Sequence, residues 1–366
     1  MNLKKTDMKS LLNLDKKIVC FGAGKILNMC CELIEAFGFT KRIYRILDNN
    51  KSHFEYRNIN FSVCTLENFL KEETDLNDFV FLITCMAYPE VFEQLQSVHQ
   101  LQNIDCYIYP FVRHIPPPYE FPKHEFGSVQ KIPKKIHYIW FGGSEIPEKN
   151  REWMKSWKKY CPDYEIIRWD ENNYDVTKHP YMRDAYKEKK YAFATDYARL
   201  DIIYEHGGIY LDTDVEVLAN LDLLLYDEAF CGFSSEAYVA TGLGFGAVKG
   251  FDLLKKLIIH YDGVSFYKND GSIYLDDNGV QQTTVLDKLG LRHTNCSWQF
   301  IEGMRIYPTD VFSPMDYICN PIAYTHNTLT VHHYDASGFG KRDMSERNTM
   351  LQSSRDFWNK YCQSWE

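Results

Sequence analysis

Two aspartates one residue apart, Asp212 and Asp214, stand in the run GGIYLDTDVEV, where apolar and polar residues alternate. In an extended strand Ile209, Leu211, Thr213, Val215 and Val217 point one way, and Tyr210, Asp212, Asp214 and Glu216 the other. The two carboxylates then leave the same face with Cα atoms roughly 6.6 Å apart, within reach of one cation. Hard oxygen ligands of this kind suit Mg²⁺ or Mn²⁺, which also neutralises a diphosphate leaving group. Two solvated acids on a strand edge have the same spelling, so the surrounding residues must decide. A calcium loop is excluded, because counting from Asp212 puts Val217 where that loop needs glycine and Leu223 where it needs glutamate.

The elements that position this pair are legible on its N-terminal side. YAFATDYARLDIIYEH reads as a helix, with Ala194, Ala198 and Ile202 at helical spacing and Gly207 and Gly208 supplying the stop. Asp196 and Arg199 are three residues apart and share a face of that helix.

The 366 residues suffice for two domains, and a hydrophobic content of 45% with 15% aromatic residues suffices for a core in each. A net charge of −9 argues against a nucleic-acid partner, which needs a basic surface. Most of that acidity falls after residue 118. The 11 cysteines include no Cys-x-x-Cys pair, so buried reduced thiols are expected rather than a zinc site or a disulfide framework. No apolar stretch is long enough to span a bilayer and no signal sequence is evident, so a cytoplasmic protein is expected.

The first part alternates strand-like runs with helical ones: KKIVCF, then 26–37, RIYRIL, FVFLIT and CYIY, a parallel α/β pattern. Four prolines between Ile115 and Pro122 mark a linker. The expected organisation is a Rossmann-like domain at 1–118, a linker at 119–131 and a second α/β domain at 132–366. FGAGK follows a strand and opens a helix, and Asp48 ends the next strand, as in a dinucleotide site. Leu27 stands where the third glycine of GxGxxG belongs, so a fold that keeps the turn without the cofactor is the competing reading. Ile26 after Lys25 excludes a Walker A loop.

From 132 to about 340 the chain resembles glycosyltransferase family 32, the DXD-motif sugar transferases of capsular and surface polysaccharide synthesis. The ordered motifs are IPKKIHYIWFGG, ATDYARLDIIYEHGGIYLDTDV, GFGAVKG, NGVQQTT and TVHHYDASG. The resemblance implies a GT-A fold, a nucleotide-diphosphate sugar donor (UDP-sugar before GDP-sugar), Mn²⁺ or Mg²⁺, retention of anomeric configuration, and a glycan or lipid-linked glycan acceptor. It implies that Asp214 binds the metal, that Asp212 contacts the metal shell and the donor, and that Asp196 and Arg199 hold donor hydroxyls. Trp140 would stack on the nucleobase beside the Ile139 backbone. His332 would be the third metal ligand, with His333 as fallback. Ser337 is followed by Gly338 where the family has tryptophan, which leaves the acceptor side open. The resemblance of FGAGK and LDNNK to a Rossmann-like domain attached to sugar- and methyl-transferring enzymes implies no settled activity. A nicotinamide-dependent oxidoreductase and a carbohydrate-binding protein with a dead site are the rival functions. The aromatic tail Phe357, Trp358, Tyr361 and Trp365 reads either as a peripheral contact with the inner membrane face or as core.

Overall fold

The computed structural model describes residues 1–39, 41–124, 128–235, 238–273, 278–316, 320–335 and 341–365. The chain divides into two units, one made of Met1–Pro118 with Met350–Glu366, the other of Tyr119–Thr349.

In the first unit β1 (Asn2–Leu3), β2 (Lys17–Phe21), β3 (Ile43–Leu47), β4 (His53–Tyr56), β5 (Ile59–Cys64), β6 (Phe79–Ile83) and β7 (Asp105–Ile108) form one sheet. Its order is β1-β7-β6-β2-β3-β5-β4, parallel except for the β4–β5 hairpin. All five residues of β6 are buried, as expected of a strand covered on both faces. The Gly-rich turn after β2 is present, but Asp48 closes it from within. One carboxylate oxygen accepts from the Ala23 N–H at 2.8 Å, the other from Asn50 and Lys51 N–H at 2.8 and 3.1 Å. Burial pushes the Asp48 carboxyl up, and these backbone donors outweigh it and hold the group low. Both oxygens thus bind the protein's own turn rather than standing free for a ribose. Leu27 is fully buried in the core of this unit.

The expected domain limit of 132–366 is corrected at its C-terminal end, because residues from Met350 onward belong to the first unit. Phe357 and Trp358 are buried there, Phe357 against Tyr88 and Phe92 at ring distances of 5.2 and 5.5 Å, Trp358 against Phe111 at 5.8 Å. These two are therefore core, for the usual reason that large aromatic surfaces stabilise by leaving water, while Tyr361 and Trp365 are only partly buried.

The second unit holds β8 (Lys135–Ile139), β9 (Glu165–Trp169), β10 (Gly208–Tyr210), β11 (Val215–Val217), β12 (Ala229–Ser235), β13 (Tyr238–Ala240), β14 (Phe245–Ala247), β15 (Gln299–Ile301), β16 (Met304–Tyr307) and β17 (Thr330–His332). The main sheet runs β15-β16-β12-β14-β10-β8-β9, with β13 paired to β12. β9, β8 and β10 are parallel and β14 is antiparallel to β10, so the unit is mixed α/β, as expected of a GT-A-type domain. Part of the expected linker is built into this unit: Phe121 stacks on Tyr307 at 5.4 Å and the Tyr119 hydroxyl donates to Asp310 at 2.8 Å. β11 leaves the main sheet and pairs instead with β17.

Candidate active site

The alternation read over 209–217 survives in burial from Leu211 onward but not in backbone. Ile209, Leu211, Thr213, Val215 and Val217 are all buried and Asp212, Asp214 and Glu216 are partly exposed, but Tyr210, expected on the same face as the acids, is buried too. The strand nevertheless stops at Tyr210, and a turn closed by the Val215 N–H on the Asp212 carbonyl at 3.1 Å separates β10 from β11. Asp, Thr and Asp suit such a turn because their short polar side chains compete for backbone groups. The two aspartates therefore sit at the joint between two sheets, not along one straight strand.

The pairing of β11 with β17 sets Val215 opposite His332 and so brings a residue from 118 positions further on beside Asp214. His332 Nε2 lies 3.3 Å from Asp214 Oδ1 and 3.9 Å from Asp212 Oδ2. Asp212, Asp214 and His332 each offer a ligand atom within 4.8 Å of the others. Two carboxylates and one imidazole so close together fit a divalent cation. His332 Nδ1 accepts from the Tyr334 N–H at 3.3 Å, so Nε2 carries the ring proton and donates towards the carboxylates. Burial pulls the His332 imidazole down, but Asp214 and Asp212 outweigh it and raise it above its ordinary value. Binding an ion through Nε2 requires that proton to leave.

His333 turns the other way. Its ring stacks on Trp153 at 4.2 Å with the planes 7° apart, and its Nε2 is 3.0 Å from Glu216 Oε2. Glu216 thus lies outside the cluster, although its parity matched that of the aspartates.

The helix Tyr191–His206 supplies the second half of the site. It is buried continuously from Ala194 to Ile203, and it ends at Gly207, whose φ of 65° with ψ of 171° is a conformation open to glycine alone. Arg199 and Asp196 share a face as their spacing required, with Arg199 Nη2 3.1 Å from Asp196 Oδ1 and Arg199 Nη1 3.5 Å from Asp212 Oδ2. Arg199 is fixed further by Thr195, whose carbonyl and hydroxyl accept from Nε and Nη2. Burial would lower the Arg199 guanidinium, but Asp212, Tyr210 and Asp196 hold it charged. Asp212 is pushed up by burial and pulled down more strongly by Arg199, helped by His332 and by the Tyr210 hydroxyl, which donates at 2.8 Å. Among the described residues Arg199 Nη1 has no hydrogen-bond partner.

Ile139 and Trp140 stand at the C-terminal end of β8, Ile139 buried and Trp140 partly so, with the indole N–H given to the Ser144 carbonyl at 2.7 Å. Ser337 and Gly338 lie outside the described residues.

Three contributors escaped the sequence reading. Tyr210 was on the right face, but nothing marked it as the hydroxyl that fixes Asp212. Gly242 lies two residues before the GFGAVKG motif and outside it; its carbonyl accepts the Asp212 N–H at 3.3 Å. Asp335 follows the histidine pair, and its N–H donates to Asp214 Oδ2 at 2.9 Å.

Residues 147–231, which include both aspartates, Asp196 and Arg199, match the family described as "Glycosyltransferase sugar-binding region containing DXD motif". Inositol phosphoceramide mannosyltransferase 3 of Schizosaccharomyces pombe is 34% identical over 141 residues, which cover 37% of this chain and 39% of that protein. Mannosyl phosphorylinositol ceramide synthase SUR1 of Saccharomyces cerevisiae is 32% identical over 139 residues, covering 36% of each. The chain spans well under half the length of these relatives. Among solved structures, "PaToxG Glycosyltransferase" covers 43% of this chain and 69% of its own at 18% identity, with a TM-score of 0.35, too remote to argue from. The segment around Asp212 and Asp214 thus matches the sugar-binding region of the DXD-motif glycosyltransferases. Glycosyltransferase is the class that its homologues define.

Proposed function

We propose that the protein is a metal-dependent, retaining glycosyltransferase that moves a hexose from a nucleotide-diphosphate sugar to a hydroxyl of a glycan or lipid-linked acceptor. The observation that carries this reading is the convergence of Asp212, Asp214 and His332 within 4.8 Å, with the buried pair Asp196 and Arg199 alongside. Asp212, Asp214 and His332 would hold Mn²⁺ or Mg²⁺, which supplies positive charge against the departing diphosphate.

The chain's own residues do the positioning. Arg199, held by Thr195 and Asp196, keeps the buried Nη1 3.5 Å from Asp212 Oδ2 and would orient donor hydroxyls together with its two carboxylate partners. Asp196 and Asp212 accept from sugar hydroxyls while Arg199 pairs with both carboxylates. Trp140 offers its ring to the nucleobase beside the Ile139 backbone. No carboxylate is assigned as a covalent nucleophile, so attack on the donor's own face through an oxocarbenium-like state accounts for retention.

UDP-sugars are the first donors to test. The mannosyl relatives bring mannose donors into the same panel and favour a lipid-linked acceptor, met by a cytoplasmic protein at the membrane face. Incubation of the full chain with UDP- and GDP-hexoses and Mn²⁺ should show slow, metal-dependent donor hydrolysis with one donor preferred. Absence of hydrolysis and of donor binding across the panel overturns the reading in favour of a dead site. The oxidoreductase alternative is disfavoured by Asp48, whose carboxylate is committed to its own turn.

A further inference from the structure

The helix Glu148–Tyr160 lies along the segment that carries the proposed metal ligands, and one of its faces bonds to it repeatedly. Trp157 Nε1 donates to the Val215 carbonyl at 2.8 Å, and Ser156 Oγ accepts the Val217 N–H at 2.8 Å. Trp153 stacks on His333. One turn earlier, Asn150 Nδ2 donates to Thr213 Oγ1 at 3.2 Å. Positions 150, 153 and 157 follow the i, i+3, i+7 rule for a single helix face.

The Asn150–Thr213 contact differs from the others because Thr213 is the residue between the two aspartates. Asn150 is 2% exposed and Thr213 8%, so the contact is screened from water. Among the described residues Asn150 Oδ1 has no hydrogen-bond partner. A half-satisfied buried amide destabilises a fold relative to an apolar side chain, so stability alone does not account for asparagine here. The turn at 212–215 is closed by one backbone bond, and Thr213 is buried between the partly exposed Asp212 and Asp214. Anchoring Thr213 therefore limits how far Asp212 and Asp214 can rotate or spread. The preceding residue reaches one of the two aspartates indirectly: Lys149 Nζ is paired with Asp335, whose N–H holds Asp214 Oδ2.

We infer that Asn150 is a positioning residue for the metal site, setting the separation of the Asp212 and Asp214 carboxylates through the Thr213 hydroxyl. This rests on the metal-dependent reading above. Residues that orient ligands without touching the ion commonly change metal affinity by roughly 10- to 100-fold.

The test is Mn²⁺ binding to the full chain, followed by the electron paramagnetic resonance signal of free Mn²⁺ with and without UDP, so that no turnover is needed. Asn150→Ala and Thr213→Val should each weaken Mn²⁺ by about tenfold. Thr213→Ser, which keeps the hydroxyl, should bind as wild type does. The double variant should be no weaker than either single one, because both remove the same contact. Thr213→Val is nearly isosteric and keeps the test open should Asn150→Ala fail to fold. Wild-type affinity in folded Asn150→Ala or Thr213→Val, or additive losses in the double variant, overturns the inference. A wild-type chain that binds no Mn²⁺ with or without UDP overturns the metal-dependent reading itself.

Discussion

Gly242 packs against Asp212 with no room for a methyl group between them: a Cβ at position 242 would overlap Asp212 Oδ2 and stand 2.9 Å from Arg199 Nη1. The same glycine accepts the Asp212 N–H through its carbonyl, so it fixes both the backbone and the free space of that aspartate. Thr241 beside it is held by the buried Gln282, which accepts from its N–H at 3.1 Å and donates to its hydroxyl at 2.7 Å. Gly242→Ala should therefore displace the Asp212 and Arg199 pair. Donor hydrolysis is expected to fall by at least about tenfold, since misplacing positioned groups by an ångström is costly. Rates measured beside a melting curve check this, and unchanged rates would show that the pair tolerates displacement.

Asp214→Asn should abolish transfer and leave the fold intact. The amide keeps the size of the carboxylate but removes one anionic ligand, so a rate loss of about a hundredfold or more is expected. The melting temperature without metal should hold or rise, because two neighbouring carboxylates repel. Wild type should be stabilised by Mn²⁺ with UDP and the variant much less so. Retained turnover, or a wild-type melting temperature indifferent to Mn²⁺ and UDP, counts against the metal site.

The two adjacent histidines should separate cleanly. His332→Ala removes the imidazole 3.3 Å from Asp214 and should weaken Mn²⁺ binding. His333→Ala removes a ring stacked on Trp153 and bonded to Glu216, so it should lower stability by about 1–2 kcal/mol with a smaller effect on Mn²⁺. Calorimetric titration and melting of both variants check the division. A larger loss of Mn²⁺ binding at His333 would reverse it.

His137 should make the second unit acid-sensitive. It is fully buried; Nδ1 accepts from Trp169 Nε1 at 3.0 Å and Nε2 donates to the Gly207 carbonyl at 2.9 Å, an arrangement that needs the neutral ring. Burial holds it down at about 4. The folded value is below the unfolded one near 6.5, so the unfolded chain takes up the proton first as pH falls. The contribution of His137 is complete above pH 6.5 and is lost progressively towards pH 4, amounting to about 3 kcal/mol. Melting temperature against pH should fall less steeply over that window in His137→Gln, which can reproduce both bonds. Equal slopes would show that other groups govern acid unfolding.

The domain limits predict which truncation survives. A chain of residues 119–349 should fold and keep donor hydrolysis, because Asp196, Arg199, Asp212, Asp214 and His332 all lie in the second unit. A chain of residues 119–366 retains Phe357 and Trp358 without the core that buries them, and should aggregate more readily. Light scattering and donor hydrolysis on the two pieces check this.

What the sequence by itself determined was local. Asp212 and Asp214 were legible as a pair because a two-residue spacing leaves both at partly exposed positions, and Asp196 meets Arg199 because residues three apart on a helix are neighbours. Gly207 ends that helix because it alone adopts the required φ and ψ. The alternating burial from Leu211 to Val217 was legible for the same reason, although the buried Tyr210 and the turn at Thr213 were not, since burial parity persists through that turn. Only the tertiary structure decided the long-range partners. The β11–β17 register chose His332 over His333, a choice that depends on which residue faces Val215 and not on the HisHis pair itself. Asn150 and Gly242 joined the site from 63 and 30 residues away, through the docking of a helix and the close approach of a loop. The aromatic tail went to the first unit because its buried partners, Tyr88, Phe92 and Phe111, lie there. Contacts of that range are set by how faces pack once they form, and no periodicity along the chain encodes them.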